Sequence, residues 1–112
     1  MDEPRLKAGL WASATLRRAH QLGRSGMVLR RGDADAGSIL VVLRDRDGRM
    51  TVLSQARTID GESAWTRGTG ATPVGQEEVD AYVARQVARD PDLWVLELEG
   101  PDLTPPFEAI LV

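Results

Sequence analysis

The run Ile39-Leu40-Val41-Val42-Leu43 constrains this chain more than any other feature. It is rich in β-branched residues, unbroken by polar ones, and long enough for a central strand covered on both faces. Such a strand needs partners. Asp47-Gly48 supplies the strongest hairpin signal, because both central positions of a tight type I′ turn need positive φ, which Asp tolerates and Gly accepts freely. Counting from that turn puts Leu43 opposite Val52 and Val42 opposite Leu53. A second Asp-Gly, Asp60-Gly61, predicts a return along residues 62–67 and so a three-stranded meander.

Two segments carry helical spacing. Trp11, Ala12, Thr15, Leu16, Ala19 and Leu22 fall on one arc, and Gly23 is placed to stop the helix. Before it, Leu6, Ala8 and Leu10 alternate with polar residues, which fits a short strand, with helix as the alternative. Val79, Tyr82, Val83 and Val87 form the stripe of a second helix. Val74 and Val79 are spaced for a hydrophobic staple across Gly75, and Glu77, Glu78 and Asp80 suit the positive first turn. Pro91 ends that helix and makes Asp90 extended. Strands are predicted at Met27-Val28-Leu29, at Leu93–Glu99 with Trp94, Leu96 and Leu98 on one face, and at Phe107–Val112. The expected fold is α+β: an antiparallel or mixed sheet, β-meander plus C-terminal strands, with two helices packed on one face.

Composition narrows the function classes. At 112 residues the chain is expected to form a single domain over residues 1–112, large enough to hide about two thirds of its extended surface. With 42% hydrophobic and 28% charged residues and a net charge of -3, it lies outside the disordered regime. There is no cysteine, hence no disulfide, thiolate metal site or thiol nucleophile. No apolar run nears the roughly 20 residues of a membrane span, and Met1-Asp2-Glu3-Pro4 does not resemble a secretory signal. A cytoplasmic location is expected.

Charge is split: residues 1–50 carry +4 and residues 51–112 carry -7. The densest basic group is Arg17-Arg18 and Arg30-Arg31, with Arg24 between them and Trp11 nearby in sequence. Folding the first helix back on the next strand brings these guanidinium groups to one rim, where they offer paired donors to phosphate or carboxylate. Pairing with Asp33, Asp35 or the acidic half is the competing reading. An acidic pI near 5.1 and only five aromatic residues argue against nucleic acid as partner.

Catalytic and metal constellations are incomplete. His20 is the single histidine, and no serine sits in a Gly-x-Ser-x-Gly elbow. Gly68-Thr69-Gly70-Ala71-Thr72-Pro73-Val74-Gly75 precedes a helix, yet it lacks phosphate-loop spacing and leads into three carboxylates. The loops Asp33–Gly37 and Asp45–Gly48 lack the full calcium-binding run and its glutamate at position 12. Glu97 and Glu99 share a strand face and are the candidate carboxylate pair for acid-base chemistry. No catalytic residue, metal or cofactor is assigned.

Leu10-Trp11-Ala12-Ser13-Ala14-Thr15-Leu16-Arg17-Arg18, Arg31-Gly32-Asp33-Ala34-Asp35-Ala36-Gly37 and Asp90-Pro91-Asp92-Leu93-Trp94-Val95-Leu96-Glu97-Leu98-Glu99 together resemble an uncharacterised bacterial family, domain of unknown function 1491. The resemblance spans nearly the whole chain and implies a small one-domain bacterial protein with no assigned activity. Two readings of function follow. The first is a non-enzymatic binding or protein-interaction module with an Arg-rich patch, its candidate binding residues Trp11, Arg17, Arg18, Arg30, Arg31, Asp33 and Asp35, and its partner an anionic small molecule or a protein. The second is a small hydrolase or transferase for a phosphorylated or acidic substrate, using Asp33, Asp35, Glu97 or Glu99. A second copy, paired through an uncovered strand edge, is compatible with either.

Overall fold

The computed structural model describes residues 7–112. Elements follow in the order α1 (Ala8–Gln21), β1 (Gly26–Arg30), β2 (Ile39–Arg44), β3 (Met50–Arg57), β4 (Ser63–Arg67), α2 (Gln76–Arg89) and β5 (Trp94–Glu99). The strands form one mixed sheet in the order β1-β5-β2-β3-β4, so the fold is α+β. β5 runs parallel to β2 and antiparallel to β1, and β2, β3 and β4 form the expected meander. No helix among the described residues is long and apolar enough to cross a membrane.

The apolar run of β2 behaves as its composition requires. Ile39, Val41 and Leu43 join one apolar cluster with Ala8, Ala12 and Ala19 of α1, while Leu40 and Val42 join the other with Val79 of α2. The helices therefore roof opposite faces of the sheet, and their expected packing on one face is corrected. The reason lies in strand geometry. Successive side chains leave a strand on opposite sides, so a strand apolar at every position exposes half of its side chains unless both sides are covered. α1 lies over β1 and β5, and the rest of its face is closed by the C-terminal segment through Leu103, Phe107 and Ala109.

α1 begins at Ala8, so the 8–10 stretch is helix, whereas Leu6 lies outside the described residues. Gly23, at φ +74°, ends it. Leu22, expected on the buried arc, is exposed because the helix stops one residue before it. α2 starts after Gly75 as predicted, with Val74 and Val79 in the same cluster, and Asp90 is extended before Pro91. The predicted strand over 107–112 is replaced by a single parallel bridge, Leu111 to Trp65. The segment arches over the sheet to seat Phe107, and it meets β4 through Ile110 O and Val112 N–H, both bonded to Trp65.

The β2–β3 hairpin differs from the sequence expectation by one residue. Val42 pairs with Val52 and Leu43 with Thr51, because the loop holds three residues, Arg46–Gly48. Asp45 N–H donates to Arg49 O (2.9 Å), Gly48 N–H donates to Asp45 O (3.2 Å), and only Gly48 has positive φ (+79°). That is a type I turn followed by a left-handed bulge glycine. The Asp45 carboxylate, 4% exposed, selects it by accepting the N–H groups of Asp47 and Arg49 (2.9 Å each) and Nε of Arg49 (3.0 Å). The β3–β4 hairpin repeats the build, with Thr58 in place of Asp45 and Gly61 at φ +85°. The one-residue shift turns β3 over: Val52 faces α2, and Thr51 and Leu53 face the C-terminal segment.

Burial raises the pKa of Asp45, but the N–H groups of Arg49 and Asp47 and the Arg49 guanidinium outweigh it and hold the group below its ordinary 3.8. Its contribution to stability is complete above pH 3.8 and is lost as pH falls through the folded value. The difference in urea midpoint between the wild type and Asp45→Asn should stay constant from about pH 7 to about pH 5 and shrink below the ordinary value. An unchanged difference at about pH 2 assigns the effect to shape rather than charge.

Candidate functional site

α1 and β1 are antiparallel neighbours. Gly9 N–H donates to Ala34 O (2.9 Å) at one end, and Leu16 lies against Gly26 at the other. Arg17 and Arg18 consequently stand near the start of β1, while Arg30 and Arg31 stand at its far end, about 13 Å away along the helix. The expected common rim does not form. A bulge in β1 between Val28 and Arg30 separates the second pair further. Arg30 is opposite Val95, on the α2 side, whereas Arg31 covers the Trp94 ring at 5.8 Å on the α1 side. Regular alternation would have reversed these assignments.

Arg31, Asp33 and Asp35 belong to a structural joint. The Asp33 carboxylate accepts the N–H groups of Asp35 (3.2 Å) and Ala36 (2.7 Å), closing the turn between β1 and β2. Asp33 N–H donates to Asp92 O (3.0 Å), and Trp94 Nε1 donates to Asp33 O (2.7 Å). Arg30 Nη1 reaches Leu93 O (3.0 Å), and Asp35 pairs with Lys7 at the surface (3.6 Å). The Gly32–Gly37 turn is thus docked on Asp92-Leu93-Trp94. Glycine is needed at Gly32, where a Cβ would collide with Asp92 O and stand 2.7 Å from both Leu93 C and Trp94 Cδ1.

Glu97 and Glu99 flank Arg44, at 3.3 and 4.0 Å, and Arg44 also bonds Gln76 at the start of α2. Glu97 is 14% exposed, so the candidate carboxylate pair on β5 is in part an ion-paired seam between strand and helix. No group of three or more His, Asp or Glu residues among the described residues could hold a metal ion.

Two concave surfaces lie along the C-terminal segment. Phe107 stands between Trp11 and Trp65, with ring centroids 5.2–5.5 Å apart across the three pairs. Trp65 N–H donates to Ile110 O (2.8 Å), Val112 N–H to Trp65 O (2.9 Å), and Arg24 Nη1 to Thr104 O (2.6 Å). The N–H and hydroxyl of Thr104, with weaker help from the Arg24 charge, hold the Asp102 carboxyl below its ordinary pKa. On the helix side of this segment, Trp11, Arg18, Leu22, Arg24, Pro106 and Phe107 line an open groove of about 630 Å³. Two of the sequence candidates, Trp11 and Arg18, meet there. Arg17 and Arg18 make no ion pair among the described residues.

On the sheet side is a more closed cavity of about 470 Å³. Thr51, Leu53 and Arg67 form its floor, and Leu103, Pro105 and Phe107 are among its roof residues. Thr51 is 5% exposed, and its Oγ1 has no hydrogen-bond partner, unlike every other buried side-chain nitrogen or oxygen among the described residues. Such a group costs about 1–3 kcal/mol. Sequence reasoning missed this cavity. Its one signal is a threonine inside the apolar run Met50-Thr51-Val52-Leu53, and the expected hairpin register pointed it to the other face.

These features define a small α+β protein whose mixed sheet carries one helix on each face and an aromatic-anchored C-terminal segment. The chain belongs to the family described as Protein of unknown function (DUF1491), whose model matches residues 6–108. It is similar to the crystal structure of a DUF1491 family protein from Caulobacter crescentus CB15, with 34% identity and a TM-score of 0.87 over 96% of this chain and 100% of that one. The NMR structure of a DUF1491 family protein from the same organism gives 33% identity and 0.85, covering 98% and 99%. The solution structure of protein Atu0922 from A. tumefaciens gives 27% identity and 0.80, covering 97% and 98%. No curated protein matches the sequence. Of the strings that carry the resemblance, Arg31–Gly37 and Asp90–Glu99 touch each other directly through Asp33, Asp92 and Trp94.

Gly32→Ala should therefore destabilise the fold by about 3 kcal/mol through overpacking at this joint. Gly48→Ala, with no atom within 4 Å of the new methyl but φ of +79°, should cost about 1 kcal/mol. Urea midpoints of the two variants compare the effects directly, and equal losses would remove the joint from the account of the fold.

Proposed function

We propose that the chain is a non-enzymatic binding module of the cytoplasm, which takes an acidic, partly apolar segment of a protein partner in the groove between α1 and the C-terminal segment. The observation that carries this reading is the meeting of Trp11 with Arg18, Arg24 and the exposed Leu22 at one concave surface, against a single carboxylate, Glu108. Tryptophan and arginine concentrate binding energy when a partner desolvates them, and Arg17, next to Arg18 on the exposed side of α1, adds to the local positive field. The hydrolase alternative needs its carboxylates to converge. Asp33 sits at the Trp94 end of β5, and Glu97 and Glu99 lie three to five residues further on, about 10–16 Å away, with Glu97 engaged by Arg44.

Titrating the ¹⁵N-labelled chain with a short peptide of alternating glutamate and leucine should shift the Trp11 indole and the amides of Arg18 and Leu22. Arg18→Glu should weaken binding about fivefold, and added salt should weaken it further. Absence of shifts in the groove, or binding indifferent to Arg18→Glu, overturns the reading.

A second copy is a further partner suited to β1. The outer edge of β4 is occupied by residues 110–112, but β1 presents its edge with Met27 and Leu29, 54% and 50% exposed, on one face. Pairing two β1 strands about a two-fold axis at Val28 sets Met27 of each copy against Leu29 of the other. Sedimentation over a range of concentrations should show a dimer that Leu29→Lys abolishes, and a concentration-independent monomer excludes the pairing.

A further inference from the structure

We propose that the cavity between β3, β4 and the C-terminal segment binds a small amphiphilic monoanion, a carboxylate on an apolar body. The carboxylate is held by Arg67 and the Thr51 hydroxyl, and the apolar part lies under Leu103, Pro105 and Phe107. The site is separate from the helix-side groove and independent of that reading.

The polar end is marked by two groups whose bonding capacity the protein leaves unused. Thr51 is buried and its hydroxyl unpartnered, in a structure that otherwise satisfies its buried side-chain nitrogen and oxygen atoms among the described residues. A buried hydroxyl of this kind is favourable once a ligand oxygen accepts from it. Arg67 forms no ion pair among the described residues. It stands opposite Leu53, on the same face of the sheet, and is the diagonal cross-strand neighbour of Thr51. The backbone positions of such neighbours are about 7–8 Å apart, within the reach that lets a hydroxyl on one and a long guanidinium side chain on the other converge on one carboxylate.

The remaining lining sets the sign and the shape of the ligand. No aspartate or glutamate borders the cavity, so its one formal charge is positive and complements an anion. Leucine, proline, phenylalanine and alanine side chains make up most of the other walls, which suit an alkyl or aryl body. The volume of about 470 Å³ lies within the range of small-molecule sites, about 300–1,000 Å³. A nucleotide or polyphosphate fits poorly, because a single guanidinium faces several charges.

Decanoate and 1-decanol, equal in length and different in charge, test the proposal on the full chain, kept below their self-association concentrations. In ¹⁵N NMR titrations decanoate should give saturable shifts at Thr51, Arg67 and residues 103–111, with an affinity about tenfold above that of decanol, and should raise the melting temperature. Arg67→Met should remove the tenfold preference and leave decanol binding unchanged. Thr51→Val, which keeps the shape and removes the orphan hydroxyl, should raise the melting temperature of the free protein while weakening decanoate binding. Equal affinities for the two probes, full decanoate affinity in Arg67→Met, shifts outside the cavity or no saturable shifts each overturn the proposal.

Discussion

The pairing of β2 with β5 at the centre of the sheet is the interaction on which everything else rests. Both strands present buried apolar side chains on the two faces, Val41 and Leu96 on one side and Val42 and Val95 on the other. Fully burying each such side chain contributes about 1.5–3 kcal/mol, and none of that is realised until a roof closes over it. One face is closed by the valine stripe of α2. The other is too wide for α1 alone, and the C-terminal segment completes it. The aromatic triangle of Trp11, Trp65 and Phe107 joins that helix, the sheet and that segment at one point.

This division of labour explains where the concave surfaces lie. On the α2 side the helix lays Val79, Tyr82, Val83 and Val87 against the sheet. The irregular segment after β5, with three prolines, bridges the sheet and touches it through separated side chains, Leu103, Phe107 and Ala109, with gaps between them. Loop-built roofs of this kind are where proteins commonly place their binding surfaces, because a rigid sheet holds them from below. Both the helix-side groove and the sheet-side cavity border the same segment, so its ties, Arg24 to Thr104 and Trp65 to Ile110 and Val112, position both.

The strings that carry the family resemblance divide between architecture and surface. The glycine and aspartate turn after β1 and the Asp-Pro-Asp-Leu-Trp stretch before β5 are two halves of one joint, in which Asp33 accepts from the indole of Trp94 and donates to Asp92. Read separately, Arg31, Asp33 and Asp35 had the look of ligand-binding groups. Their close partners are all internal: a tryptophan ring, turn amides and Lys7. Trp11 and Arg18 differ, because the groove that unites them is open to a partner.

Local chemistry made much of this molecule legible in its sequence. The helical stripes, the stop at Gly23, the break at Pro91, the positions of β2 to β5 and the meander all follow from periodicity and turn residues acting within a few positions. Hairpin register was not legible, because Asp-Gly serves both a two-residue turn and a type I turn with a bulge, and the choice was made by the Asp45 carboxylate and its N–H partners. Nor was the side of the sheet each helix takes, the bulge that exchanges Arg30 with Arg31, or the cavity over Thr51. Those depend on which distant surfaces meet, and the free energy deciding them, burial of apolar area on two faces at once, exists only when residues far apart in the chain are packed together.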